Sequence, residues 1–116
     1  MQFLLLINGD ESRFNTEPMA ETPISGEFVA YTEAMKKAGV WIGGDRLKPT
    51  RHGARVRVRD GKAVVLDGPY ADSKEQLGGY YMIDVPTLDE AVEWATRCPA
   101  VKYGTIDVRP LAEISR

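Results

Sequence analysis

The sequence predicts one α+β domain, a two-layer sandwich assembled in the order β-α-β-hairpin-β-α-β. Three observations predict it. Residues 3–7, FLLLI, are an unbroken apolar run, the mark of a strand covered on both faces. Residues 54–59 alternate strictly, Asp60-Gly61 follows, and residues 62–66 resume an apolar strand, which together specify a tight hairpin. Two stretches with apolar residues three and four apart, 27–38 and 88–98, each lie between strand-like runs.

The elements follow in chain order. After the first strand comes a polar segment from Asn8 to about Gly26, with Pro18 and Pro23, and with Phe14, Met19 and Ile24 as apolar pins. Structureless segments of this length are uncommon in compact domains and often serve as lids or binding loops. The helix over 27–38 buries a face of Phe28, Tyr31, Thr32, Met35 and Ala38. Glu27 in its first turn and Lys36 and Lys37 in its last complement the helix dipole, and Gly39 stops it. Residues 40–42 begin a second strand, which Gly43-Gly44 breaks. Beyond the hairpin, residues 79–85 form a further strand. Thr87-Leu-Asp-Glu90 is a capping box that opens the second helix, with Leu88, Ala91, Val92 and Ala95 directed inward. Pro99 prevents that helix from continuing, and residues 104–109 form the last strand.

The totals bound the function. The chain of 116 residues suits one domain, with 43% apolar and 28% charged residues and a net charge of −2. That balance gives no general attraction to nucleic acid or anionic lipid, and neither is expected as a partner. The single cysteine, Cys98, excludes an internal disulfide and fits a reducing cytoplasm. The five-residue apolar run near the N-terminus is too short for a signal peptide or a membrane span.

A sheet of this composition is apolar on both sides. The first strand presents Phe3, Leu5 and Ile7 to one face and Leu4 and Leu6 to the other; the strand at 79–85 presents Tyr81, Ile83 and Val85 to one and Tyr80 and Met82 to the other. Two helices cover only one face. The second would be an apolar patch larger than soluble monomers tolerate, so a homodimer with sheet packed on sheet is expected.

The chemistry-bearing residues concentrate at 67–81, DGPYADSKEQLGGYY. One reading is structural: Asp67 accepts amide hydrogen bonds in a turn, Gly68 takes an unusual φ, Pro69 fixes the exit, and Ser73 caps one helical turn over 74–77 ended by Gly78. The other is chemical: Asp67 and Glu75 are acid/base candidates, Lys74 binds an anionic group, and Tyr70 supplies a hydroxyl or a stacking face. Tyr80 is a ligand-contact candidate, although aromatics such as Trp41, Trp94, Tyr80 and Tyr81 more often serve core or interface than a ligand cage. Arg55, Arg57 and Arg59 share one strand face and, with Lys48, Arg51 and His52, form the most basic patch. They suit either an exposed hairpin paired with carboxylates or capture of a carboxylate or phosphate, with Arg57 first for anion contact. His52 and Cys98 do not make a zinc site, no EF-hand or glycine-rich phosphate loop is present, and neither a metal nor a cofactor is expected.

The stretch DGPYADSKE at 67–75 resembles the signature of the DGPF family of the YCII-related superfamily, whose usual motif reads DGPFAETKE; Tyr70, Asp72 and Ser73 are the differing positions, and each preserves chemical character. The resemblance extends to Arg59-Asp-Gly-Lys62, Leu77-Gly-Gly-Tyr-Tyr81, Asp89-Glu-Ala91, Glu93-Trp-Ala95 and Val108-Arg-Pro110, and so covers almost the whole chain. It implies a dimeric ferredoxin-like α/β barrel. For function it implies two alternatives. One is a small-molecule protein akin to the distant barrel relatives that isomerise lactones or dehydrochlorinate organic compounds. The other is a non-enzymatic module partnered with extracytoplasmic-function sigma factors. The His–Asp pair suspected in the enzyme-like branch has no counterpart at His52, which lies on no matching motif.

Overall fold

The computed structural model describes residues 1–11, 26–68 and 75–112. The described elements are β1 (Gln2–Asp10), α1 (Gly26–Lys37), β2 (Trp41–Arg46), a 3-10 turn (Thr50–His52), β3 (Ala54–Arg59), β4 (Lys62–Asp67), β5 (Glu75–Asp84), α2 (Leu88–Arg97), a second 3-10 turn (Pro99–Lys102) and β6 (Gly104–Pro110). β2, β5, β1 and β6 form a four-stranded antiparallel sheet in that order, and β3 and β4 form a separate two-stranded one. This is the expected α+β arrangement, consistent with a ferredoxin-like fold, with the hairpin set into it as an extra arm.

Each helix connects two strands of the main sheet that are one strand apart and run parallel. Such crossovers are right-handed, and because the two run in opposite directions both helices come to the same face. Phe3, Leu5 and Ile83 on that face are fully buried together with Met35 of α1 and Ala91 of α2, and Tyr31, Val85, Ala95, Cys98 and Ala100 complete the core. The β1–β5 register places Phe3 opposite Ile83 and Leu5 opposite Tyr81, while Leu4 opposite Met82 and Leu6 opposite Tyr80 face the other way. The alternation expected from the sequence is therefore the one the sheet adopts.

The hairpin turns at Asp60 (φ 51°) and Gly61 (φ 76°), both left-handed as a two-residue turn between twisted strands requires. At the start of α2 the Thr87 hydroxyl accepts the Glu90 amide at 3.2 Å.

Several local expectations are corrected. Asn8, Gly9 and Asp10 continue β1 and do not belong to a loop. Gly43-Gly44 does not break β2: the strand bulges between Trp41 and Gly43, and a Cβ on Gly44 would stand 2.7 Å from the Tyr80 carbonyl oxygen, so Gly44 lets β2 approach β5 closely. Residues 75–77 are not a helical turn; Glu75, Gln76 and Leu77 pair with Asp10, Gly9 and Asn8, because β1 offers a ladder that rewards extension. Leu88 and Val92 are half exposed and Ala38 is exposed. Small residues at 91 and 95, four apart, let α2 lie close to the sheet, and the larger Leu88 and Val92 are rotated outward. The segment 12–25, with Phe14, Met19 and Ile24, lies outside the described residues.

Candidate functional site

The first candidate region is the end of the sheet where β1 leaves, β5 enters and the arm is rooted. β1 ends in Asp10, paired with Glu75, and the next residue, Glu11, turns its carboxylate onto Thr50. One Glu11 oxygen accepts the Thr50 amide at 2.7 Å and the other accepts the Thr50 hydroxyl at 2.8 Å. Thr50 is 7% exposed and Pro49 beside it is fully buried. Proline at 49 fixes the entry to the 3-10 turn, and the bonds from the His52 amide to the Pro49 carbonyl (3.0 Å) and from the Gly53 amide to the Thr50 carbonyl (2.9 Å) close it.

Gly68 locks this knot from the far side. Its amide donates to the Gly53 carbonyl at 2.8 Å, and a Cβ there would overlap the Thr50 carbonyl oxygen. Its φ is not in the left-handed region, so glycine is required for close approach and not for a special backbone angle, as the sequence reading supposed. Part of the DGPYADSKE stretch is thus a corner in the strict sense. Sequence reasoning missed Glu11 and Thr50; neither belongs to a motif, and 39 residues separate them.

The second candidate region is the sheet face turned away from the helices. At its centre Leu4, Leu6, Tyr80 and Met82 are partly buried, and among the described residues neither helix packs there. Carboxylates flank it on both edges. The Tyr80 hydroxyl donates to Asp45 of β2 at 3.3 Å, and the Asn8 amide donates to Asp107 of β6 at 3.0 Å. Register adds Asp10 and Glu75 on the same face toward the arm root, and Arg109 beside Leu4 at the opposite end. The face is an apolar floor with hydrogen-bonding groups around it, the composition that small-molecule sites share.

Among the described residues, the sequence-selected Asp67, Arg57, Glu75 and Tyr80 are not brought into one constellation. Asp67 ends β4 opposite Ala54, while Arg57 lies three pairs further along the arm opposite Val64. At ~3.3 Å per residue that is about 10 Å of separation. Glu75 and Tyr80 share the open face, but Leu6 and Asp10, their partners, are four residues apart on β1, about 13 Å. Asp67, Arg57 and Glu75 are exposed. Tyr70 and Lys74 lie outside the described residues. Among the described residues no group of three or more His, Cys, Asp or Glu side chains is placed to hold a metal ion.

Groups with displaced pKa values lie on the helix side, away from both regions. Burial pushes the Tyr31 phenol far above its ordinary value, with further contributions from Cys98 and Tyr81. Burial likewise raises Tyr81 and the Cys98 thiol. The Tyr31 hydroxyl donates to the Trp94 carbonyl at 2.7 Å, and its ring meets Tyr81 edge-on at 5.4 Å. These are neutral core groups, and Cys98, 1% exposed with a raised pKa, is not an activated thiol. A shallow cleft of about 320 Å3 lies beside α2, lined by Val40, Val85, Pro86, Glu93, Trp94 and Arg97, with the Arg97 guanidinium 4.2 Å from the Trp94 ring centre. It contains none of the sequence-selected candidates. Among the described residues no helix is long and apolar enough to cross a membrane.

Comparison with known proteins adds a family. Residues 1–115 match the model of the YCII-related domain. An uncharacterized protein of Rhizobium meliloti (strain 1021) is 43% identical over 84 residues, which are 71% of this chain and 64% of that protein, so the chain matches less than two thirds of its relative's length.

Proposed function

The chain belongs to the YCII-related family, and on that premise we propose that it works as a homodimer whose open sheet faces enclose a site for a small anionic or carbonyl-bearing molecule. The observation that carries this reading is the composition of the face opposite the helices: Leu4, Leu6, Tyr80 and Met82 in the middle, Asp45, Asn8 and Asp107 at the edges. An apolar floor of this kind gains by losing water, at about 25 cal/mol per Å2, and a second copy supplies an equal apolar surface. The narrower assignment to the DGPF branch is supported by DGPYADSKE at 67–75.

Polar groups at the margin give the enclosed space its chemistry. Tyr80 offers a hydroxyl to a ligand carbonyl in exchange for its long bond to Asp45. Glu75, exposed on the same face, is the acid/base candidate nearest in register; Asp67 ends β4, and Lys74 precedes Glu75 in the sequence. Lys74 and Arg57 are the cations proposed to meet an anionic group. Turnover, where it occurs, is proton transfer at a carbon or oxygen next to a carbonyl.

A thermal-shift screen of small carboxylates, keto acids, lactones and phosphate tests the reading. A hit that stabilises the wild type, and whose shift disappears in Tyr80→Phe or Lys74→Ala while the unliganded melting temperature holds, is the expected result. A screen without hits, on a protein that sediments as a monomer, would remove the reading.

A further inference from the structure

The β3–β4 arm has no account in the fold that carries it. Within the described residues its ladder runs only between its own two strands, and the amide of Gly68 on the Gly53 carbonyl holds its root. A lone two-stranded hairpin is marginal in water. This one leaves Val56 63%, Val58 70% and Val65 59% exposed. The radius of gyration is 16.0 Å, against about 13 Å for a compact chain of this length.

The ladder sorts the arm into two unlike faces. Val56 pairs with Val65 and Val58 with Ala63, so one face is apolar; Arg55, Arg57 and Arg59 pair with Leu66, Val64 and Lys62, so the other is basic. Residues 54–67 hold three arginines and one lysine against Asp60 and Asp67, a net +2; the whole chain is −2, so the remainder is −4. A basic arm is thus joined to an acidic body, and the acid includes Asp10, Asp45, Glu75 and Asp107 on the open sheet face.

We propose that the arm is an intersubunit clamp: it reaches past the edge of the sheet-to-sheet contact onto a second copy of this chain, its basic face toward the carboxylates that rim that copy's open face and its valine face turned the other way, against the twin arm. The inference rests on the dimeric reading above and adds that each site is incomplete without the other copy's Arg57. Charge decides the occupant. An acidic body attracts the arm of its twin, while overall charge repels nucleic acid and anionic membranes. Area decides the location. Six residues per strand make a ribbon about 20 Å long and about 10 Å wide, well short of the ~800 Å2 per partner of a stable interface. The arm therefore adds to a sheet-to-sheet contact and does not replace it. Two-fold symmetry applies every gain twice.

Sedimentation at about 50 and about 500 mM NaCl, across which surface charge pairs are largely screened, tests the clamp on the full chain. Val58→Glu is expected to raise the dimer Kd at least about tenfold with unchanged circular dichroism, and Arg57→Glu/Arg59→Glu to raise it similarly at low salt and to reverse the salt dependence, because salt then screens a repulsion. An equimolar mixture of Arg57→Glu/Arg59→Glu chains with Asp45→Arg/Asp107→Arg chains is expected to form mixed dimers more tightly than either variant forms dimers alone. If the wild type dimerises and the arm variants match it within about twofold, the clamp is wrong and the sheet-to-sheet reading stands. If the wild type is monomeric at about 100 μM, both fall. Binding of DNA or heparin through the arm by a monomeric wild type overturns the clamp as well.

Discussion

Gly68 presses so closely on Thr50 that no side chain fits between them: a Cβ on residue 68 would overlap the Thr50 carbonyl oxygen. Neither partner can yield easily, because Thr50 is held by both oxygens of Glu11 and Gly68 by its bond to Gly53. Gly68→Ala is therefore expected to destabilise the fold by about 2–4 kcal/mol, read as a drop in the urea midpoint at unchanged m-value. A change under about 0.5 kcal/mol would show that the arm root shifts freely.

Thr50→Val keeps the volume of residue 50 and removes its hydroxyl. The Glu11 carboxylate then retains the backbone amide alone, and a loss of about 1.5–3 kcal/mol is expected for a hydrogen bond to a charged acceptor. In a double-mutant cycle with Glu11→Ala the two losses should not add, since they remove the same contact.

Stability is expected to fall in alkali. Tyr31, Tyr81 and Cys98 all have folded-state pKa values above their ordinary ones of 10.0, 10.0 and 9.0. Groups raised in this way bind protons more tightly when folded, so their contribution is complete below the unfolded values and is lost as pH rises through and beyond them. Urea midpoints should be level from neutral pH to about 9 and decline above it. Tyr31→Phe should flatten the decline above about pH 10 and cost about 1 kcal/mol at neutral pH for the lost bond to the Trp94 carbonyl.

Leu6→Lys separates closure of the open face from folding. Leu6 lies opposite Tyr80 on the face away from the helices, so a lysine there keeps its charge in water in a monomer. Sedimentation should show loss of the proposed dimer, with far-UV circular dichroism unchanged. A variant that dimerises as the wild type does would place the subunit contact elsewhere.

The sequence by itself determined the element order, the hairpin turn at Asp60-Gly61, the capping of α2 at Thr87 and the faces of β1 and β5, because each depends on residues a few positions apart: φ preference, an i to i+3 bond, or a period of two. It also brought attention to 67–75, where Gly68 proves to be a packing requirement. Tertiary structure alone decided the rest. Whether Gly43-Gly44 ends β2 depends on how near Tyr80 comes, and whether residues 75–77 coil or extend depends on the free ladder of β1. The Glu11–Thr50 knot joins residues 39 positions apart with no shared motif, and the separation of Arg57 from Asp67 follows from where the arm's register sets them. Contacts between distant segments are fixed by packing and closure, and no local pattern encodes them.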